Sequence, residues 1–167
     1  MQNYWVQVFN QLPLNPFPGE DLLGALLGAN YDSLCHQYGL DPQEISSTRA
    51  RLEFITAPND VAPFFLLDYR SEDGAPLVIY RWDAKQRAGV LWLEEAIKQS
   101  TLPKVKSHLA QTKELLAISL HPSHLADMGL ILAYEVARWA AACGKGLVYG
   151  LDGAWYRLNR HRAFLPL

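Results

Sequence analysis

Apolar positions recur along this chain with two periods, and the switches between them predict its elements. Alternating or β-branched and aromatic runs mark strands, whereas spacings of three and four mark helices. Tyr4–Phe9 (Tyr-Trp-Val-Gln-Val-Phe) reads as a first strand. Leu12-Pro13-Leu14-Asn15-Pro16-Phe17-Pro18-Gly19 follows, and its three prolines in six residues predict a stiff loop. Leu22, Leu23, Leu26 and Leu27 then fall at helical spacing, opened by Glu20 and Asp21 and ending near Tyr38-Gly39. Gly24 and Gly28 inside that segment read either as close packing or as a break into two short helices.

The middle is strand-rich: Arg51–Thr56, Phe64–Arg70 and Leu77–Trp82, with Asp73-Gly74 as a hairpin signal between the last two. From about Asp83 to Ser100 the period turns helical, with Leu93, Ala96 and Ile97 on one face. Pro103 opens a second short helix carrying Val105 and Leu109. Leu115–Leu120 is an apolar strand, and Ser123 is placed to cap the next helix. Leu125, Met128, Leu132, Val136, Trp139 and Cys143 form its core-facing stripe, and Gly144 and Gly146 end it. Two short strands, Leu147–Tyr149 and Ala154–Leu158, flank Leu151-Asp152-Gly153. Together these elements predict one α+β domain over residues 1–167, a mostly antiparallel sheet with helices packed on one face.

Composition narrows the class. Half of the 167 residues are apolar and a fifth charged, which excludes disorder, and no apolar run is long enough to span a bilayer. Two cysteines do not make a disulfide framework, and no leader-like segment opens the chain, so a reducing cytoplasm is expected. A net charge of −2 gives no bulk drive toward nucleic acid or membrane. The charge is unevenly placed: residues 1–48 hold Glu20, Asp21, Asp32, Asp41 and Glu44 with no Lys or Arg. The last thirteen residues hold Arg157, Arg160 and Arg162 with no acid. These charges read either as caps and solvated ends or as an acidic surface that steers a partner.

Catalytic signatures are absent from the sequence. Gly144-Lys145-Gly146 leaves a helix and enters a strand, so it is a helix end and not a phosphate loop. His121, His124 and Asp127 read as a capped helix start, without the further ligands a metal requires. Cys35 and His36 are adjacent and would point about 100° apart on a helix, so they do not pair as nucleophile and base. Glu94, Glu95 and Glu135 are the carboxylates nearest the predicted core, with Arg138 an i,i+3 partner for Glu135. No cofactor and no enzymatic activity are expected.

Surface chemistry remains. Leu130, Ile131 and Tyr134 lie opposite the core stripe of the long helix. They are covered either by a second layer of the same chain or by another molecule, including a second copy in a homodimer. Tyr80-Arg81-Trp82 and Trp155-Tyr156-Arg157 carry the residue types that anchor interfaces.

The run Glu114-Leu-Leu-Ala-Ile-Ser-Leu-His-Pro, the long helix ending Trp139-Ala-Ala-Ala-Cys-Gly, and Gly146-Leu-Val-Tyr-Gly-Leu-Asp-Gly-Ala-Trp-Tyr resemble the C-terminal half of several bacterial immunity proteins. The resemblance covers roughly a quarter of the chain and implies a cytoplasmic, non-enzymatic protein that occludes a cognate toxin delivered by type VI secretion or a related system. It departs from the strongly acidic character of many nuclease-directed members. On this expectation Glu20, Asp21, Asp32, Asp41 and Glu44 steer the toxin, and Tyr80, Trp82, Trp155 and Tyr156 anchor it. Leu130, Ile131 and Tyr134 serve as an oligomer contact. The alternatives are a homo-oligomeric adaptor and a small-molecule-binding, enzyme-like domain.

Overall fold

In the computed structural model, residues 3–14, 17–29, 31, 39, 41–56, 64–69 and 74–167 are described. Eight strands form one antiparallel sheet: β1 (Tyr4–Asn10), β2 (Glu53–Thr56), β3 (Phe64–Asp68), β4 (Leu77–Asp83), β5 (Glu114–Leu120), β6 (Gly146–Tyr149), β7 (Trp155–Leu158) and β8 (Phe164–Pro166). Their spatial order is β2-β3-β4-β5-β1-β6-β7-β8, so the strand nearest the N-terminus lies between two from the C-terminal third. Val8 faces Leu116 on one side and Val148 on the other.

Among the described residues five α-helices accompany the sheet: α1 (Gly19–Gly28), α2 (Pro42–Arg51), α3 (Arg87–Gln99), α4 (Pro103–Ala110) and α5 (Met128–Gly144). The pleat of the strands sorts the core into two halves. Val6, Val8, Leu116, Ile118 and Val148 point to the face covered by α5, whose Leu132, Val136, Ala137 and Ala140 are fully buried there. Helices α1 and α2 lie against α5 through Leu22, Leu26 and Ile45. Phe9, Leu115, Leu147 and Trp155 point to the opposite face and meet Ala96 of α3 with Val105 and Leu109 of α4. The α+β class and the antiparallel sheet are as the pattern predicts. The helices, expected on one face, occupy both, because β1 and β5 are apolar at odd and even positions alike.

Local chemistry explains the boundaries. Asp41 caps α2, accepting the Gln43 N–H at 2.9 Å, and Pro42 occupies its first turn. The sequence pattern contains no helix here, since only Ile45 and Thr48 are buried, and it begins the following strand at Arg51, which is the last residue of α2. Ser123 does not cap the long helix: Pro122–Ala126 forms a 3-10 turn, and Asp127 takes the cap by accepting the Gly129 N–H at 2.8 Å. The core stripe continues through Trp139, Ala140 and Ala141, and Cys143 is exposed. Helix α1 ends at Gly28; the expected continuation to Tyr38, with Asp32, Cys35 and His36, lies outside the described residues. No helix among the described residues is long and apolar enough to cross a membrane.

Candidate functional site

Helix α5 and the β7–β8 hairpin enclose a groove of about 630 Å³ on the α5 face of the sheet. Leu130, Ile131 and Tyr134 line its helical wall, Tyr156 and Phe164 its strand wall, and Leu125 of the 3-10 turn lines it as well. Ile131 is buried and forms the floor, while Leu130, Tyr134, Tyr156 and Phe164 are half-exposed. The two uses foreseen for this region, an oligomer contact at Leu130, Ile131 and Tyr134 and an anchor at Tyr156, thus fall in a single site. The chain covers these apolar groups only in part: Phe164 stands edge-on to both Tyr134 and Tyr156, each at 6.0 Å between ring centres.

The groove is held rigid by its polar edge. Tyr134 accepts the Leu151 N–H at 3.0 Å, fixing the β6–β7 turn to the helix. The Asp152 carboxylate accepts the Ala154 N–H at 3.1 Å and the hydroxyl of Tyr156. That hydrogen bond, with lesser burial and charge effects, pushes the Tyr156 pKa up to about 12. Arg138 pairs with Glu135 at 3.1 Å as the i,i+3 spacing predicts, donates to the Arg162 carbonyl at 2.7 Å, and lies 4.7 Å from the Phe164 ring centre. Leu125, Arg138, Asp152 and Phe164 were not singled out as site residues by the sequence. Phe164 is separated from α5 by twenty residues, and only the β7–β8 pairing returns it to the helix.

The other candidate anchors are elsewhere. Trp155 is buried on the opposite face, between Phe9 and Tyr149. Tyr80 and Trp82 lie on that face too, in a half-buried aromatic row with Trp5 and Trp92. A smaller cavity of about 350 Å³ opens beside this row, lined by Trp92, Tyr149 and Trp155 with Glu95 as its only carboxylate.

The acids do not form one patch. Glu20 and Asp21 are exposed in the first turn of α1, and Asp21 acts electrostatically on Cys143, at the C-terminal end of α5. Asp41 and Glu44 are exposed at the start of α2, and Glu44 lines a cleft with Met128 at the other end of α5, roughly 22 Å away along its axis. Asp32 lies outside the described residues.

The histidine cluster is structural. His124 accepts the His121 N–H through Nδ1 at 2.9 Å and donates from Nε2 to the Ala75 carbonyl at 2.7 Å, so both ring nitrogens are engaged. Asp127 accepts from Tyr69 at 2.7 Å as well as capping α5. Among the described residues no three His, Cys, Asp or Glu side chains converge as metal ligands. Glu94 and Glu95 are exposed on α3, and Glu95 accepts from Gln99.

Compared with family models, with curated proteins and with solved structures, this chain matches none.

Proposed function

We propose that this chain works by covering another protein with the α5–β7–β8 groove, and that it is an immunity protein neutralising a cognate bacterial toxin in the cytoplasm. The observation that carries the binding reading is the groove itself. Three half-exposed aromatic rings and Leu130 stand around a buried apolar floor, ringed by the Glu135–Arg138 pair and Asp152. A desolvated aromatic centre inside a polar rim is the anatomy of a protein-binding hot spot. The toxin as partner rests on the resemblance carried by Glu114–Pro122 and Gly146–Tyr156.

Co-expression with the product of the gene directly upstream tests both parts. The expected result is a stable complex and protection from toxicity, both lost with Leu130→Asp. Absence of a complex at micromolar concentration together with absence of protection would overturn the immunity reading. A wild-type chain sedimenting as a dimer, and Leu130→Asp as a monomer, would assign the groove to a second copy instead.

A further inference from the structure

We infer that the cavity below the C-terminal end of α5 is a docking site for an acidic polypeptide segment of the partner, an inference that rests on the protein-binding reading of the neighbouring groove. This cavity, of about 470 Å³, is lined by Lys145, Arg157, Arg160 and Arg162 and by no carboxylate. None of these four cations has an ion-pair partner among the described residues. Uncompensated like charges repel one another, so such a cluster lowers stability unless something anionic covers it.

The backbone holds these cations in place at an energetic cost. Lys145 and Arg162 are the only non-glycine residues with positive φ in the described chain, at 51° and 60°, and both line this cavity. Glycine would occupy either position without strain, yet each carries a cation. The loop bearing Arg160 and Arg162 is pinned by Asn159, whose side chain accepts the N–H groups of His161 at 2.8 Å and Ala163 at 3.0 Å. Part of the cavity wall is made of the small residues Ala141, Ala142 and Gly146.

Two features favour carboxylates on a polypeptide over a nucleic acid or a compact phosphate. The cavity has no Phe, Tyr or Trp on which a base would stack, and its one imidazole, His108, is engaged by the Phe9 carbonyl and Gln11. Its cations come from the end of α5 (Lys145), from β7 (Arg157) and from the β7–β8 loop (Arg160 and Arg162), which suits spaced charges. The groove and the cavity are neighbours, since Arg138 on the groove wall donates to the carbonyl of Arg162 on the cavity wall, which puts both within reach of one partner.

The test is titration of the full chain with hexaglutamate peptide, with a single-stranded hexanucleotide and inorganic pyrophosphate as separate arms. Saturable peptide binding is expected, weakened about tenfold or more in the Arg157→Glu, Arg160→Glu double variant and retained in the Arg157→Lys, Arg160→Lys variant. Both positions are exposed, and circular dichroism of each variant is the check on its folding. Equal peptide affinity in wild type and the Glu variant, or tighter binding of the hexanucleotide or pyrophosphate than of the peptide, would overturn the inference. The peptide arms need no toxin, so their failure is distinct from failure of complex formation through Leu130.

Discussion

Arg81 on β4 donates its guanidinium to the carboxylate of Glu114 on β5, and Glu114 is 1% exposed. The same carboxylate accepts the N–H of Leu14 at 2.9 Å, from the stretch leading into α1. One buried acid therefore ties two central strands to the segment preceding the helical layer. Glu114→Ala leaves the half-buried guanidinium and the Leu14 N–H without their acceptor. A loss of about 3 kcal/mol is expected in denaturant unfolding, with Glu114→Gln losing less because its amide oxygen still accepts from Leu14.

Helix α5 ends over Asn10. A methyl group added at Gly144 or Gly146 would overlap the Asn10 side chain, which is fully buried. Gly146→Ala is expected to destabilise by about 2 kcal/mol. Combined with Asn10→Ser, part of that loss should return, and a double-mutant cycle measures the coupling. Additive losses would show that Asn10 is not the obstacle.

Lys145→Gly and Arg162→Gly should each stabilise the isolated chain by about 0.5–1 kcal/mol, since both relieve a left-handed backbone. The same substitutions should weaken hexaglutamate binding. Thermal unfolding of the two variants provides the check, and a lower melting temperature in both would contradict it.

Tyr156 ionises late because Asp152 accepts its hydroxyl hydrogen. Its pKa in the folded chain, about 12, exceeds the unfolded value of 10.0, so the neutral form is favoured by folding. The contribution is fully present below pH 10.0 and fades as the pH rises toward about 12. Carbon NMR of labelled tyrosine should show Tyr156 titrating in that window, and Asp152→Ala should move it back toward 10.0.

Trp155 is expected to report on stability and not on binding. It packs against Phe9 at 5.3 Å and Tyr149 at 4.8 Å between ring centres. Trp155→Ala should cost about 3–5 kcal/mol, whereas Leu130→Asp should spare most of the stability and weaken partner binding by about 2 kcal/mol or more. Parallel unfolding and binding measurements separate the two.

The long-period signals were legible because burial wrote them. β1, β5 and α5 are apolar where they enter the core, and their positions follow directly from the sequence pattern. Helix α2 escaped because it offers only Ile45 and Thr48 to the interior, although Asp41-Pro42 held the cap signal. β8, three residues ending in a proline, has no periodicity to detect. The groove was half visible: Leu130 and Tyr134 are surplus apolar groups on a helix, whereas Ile131, expected beside them on the outer face, belongs to the core. Phe164 and Asp152 join them only through strand pairing and a turn, which no local pattern encodes. Glu94, Glu95 and Glu135 are the carboxylates the pattern places nearest the core, yet Glu94 and Glu95 are exposed and Glu114 is the buried one, which the pattern misses because its partners Arg81 and Leu14 are far away in sequence.

The central place of β1 has a consequence for biosynthesis. Its hydrogen-bonding neighbours, residues 114–120 and 146–149, are translated more than a hundred residues later. At about 5–20 residues per second, Val6, Val8 and Phe9 wait roughly 7–28 s before both flanks exist. Throughout that interval the nascent chain carries an apolar ribbon whose hydrogen-bonding partners have yet to be made.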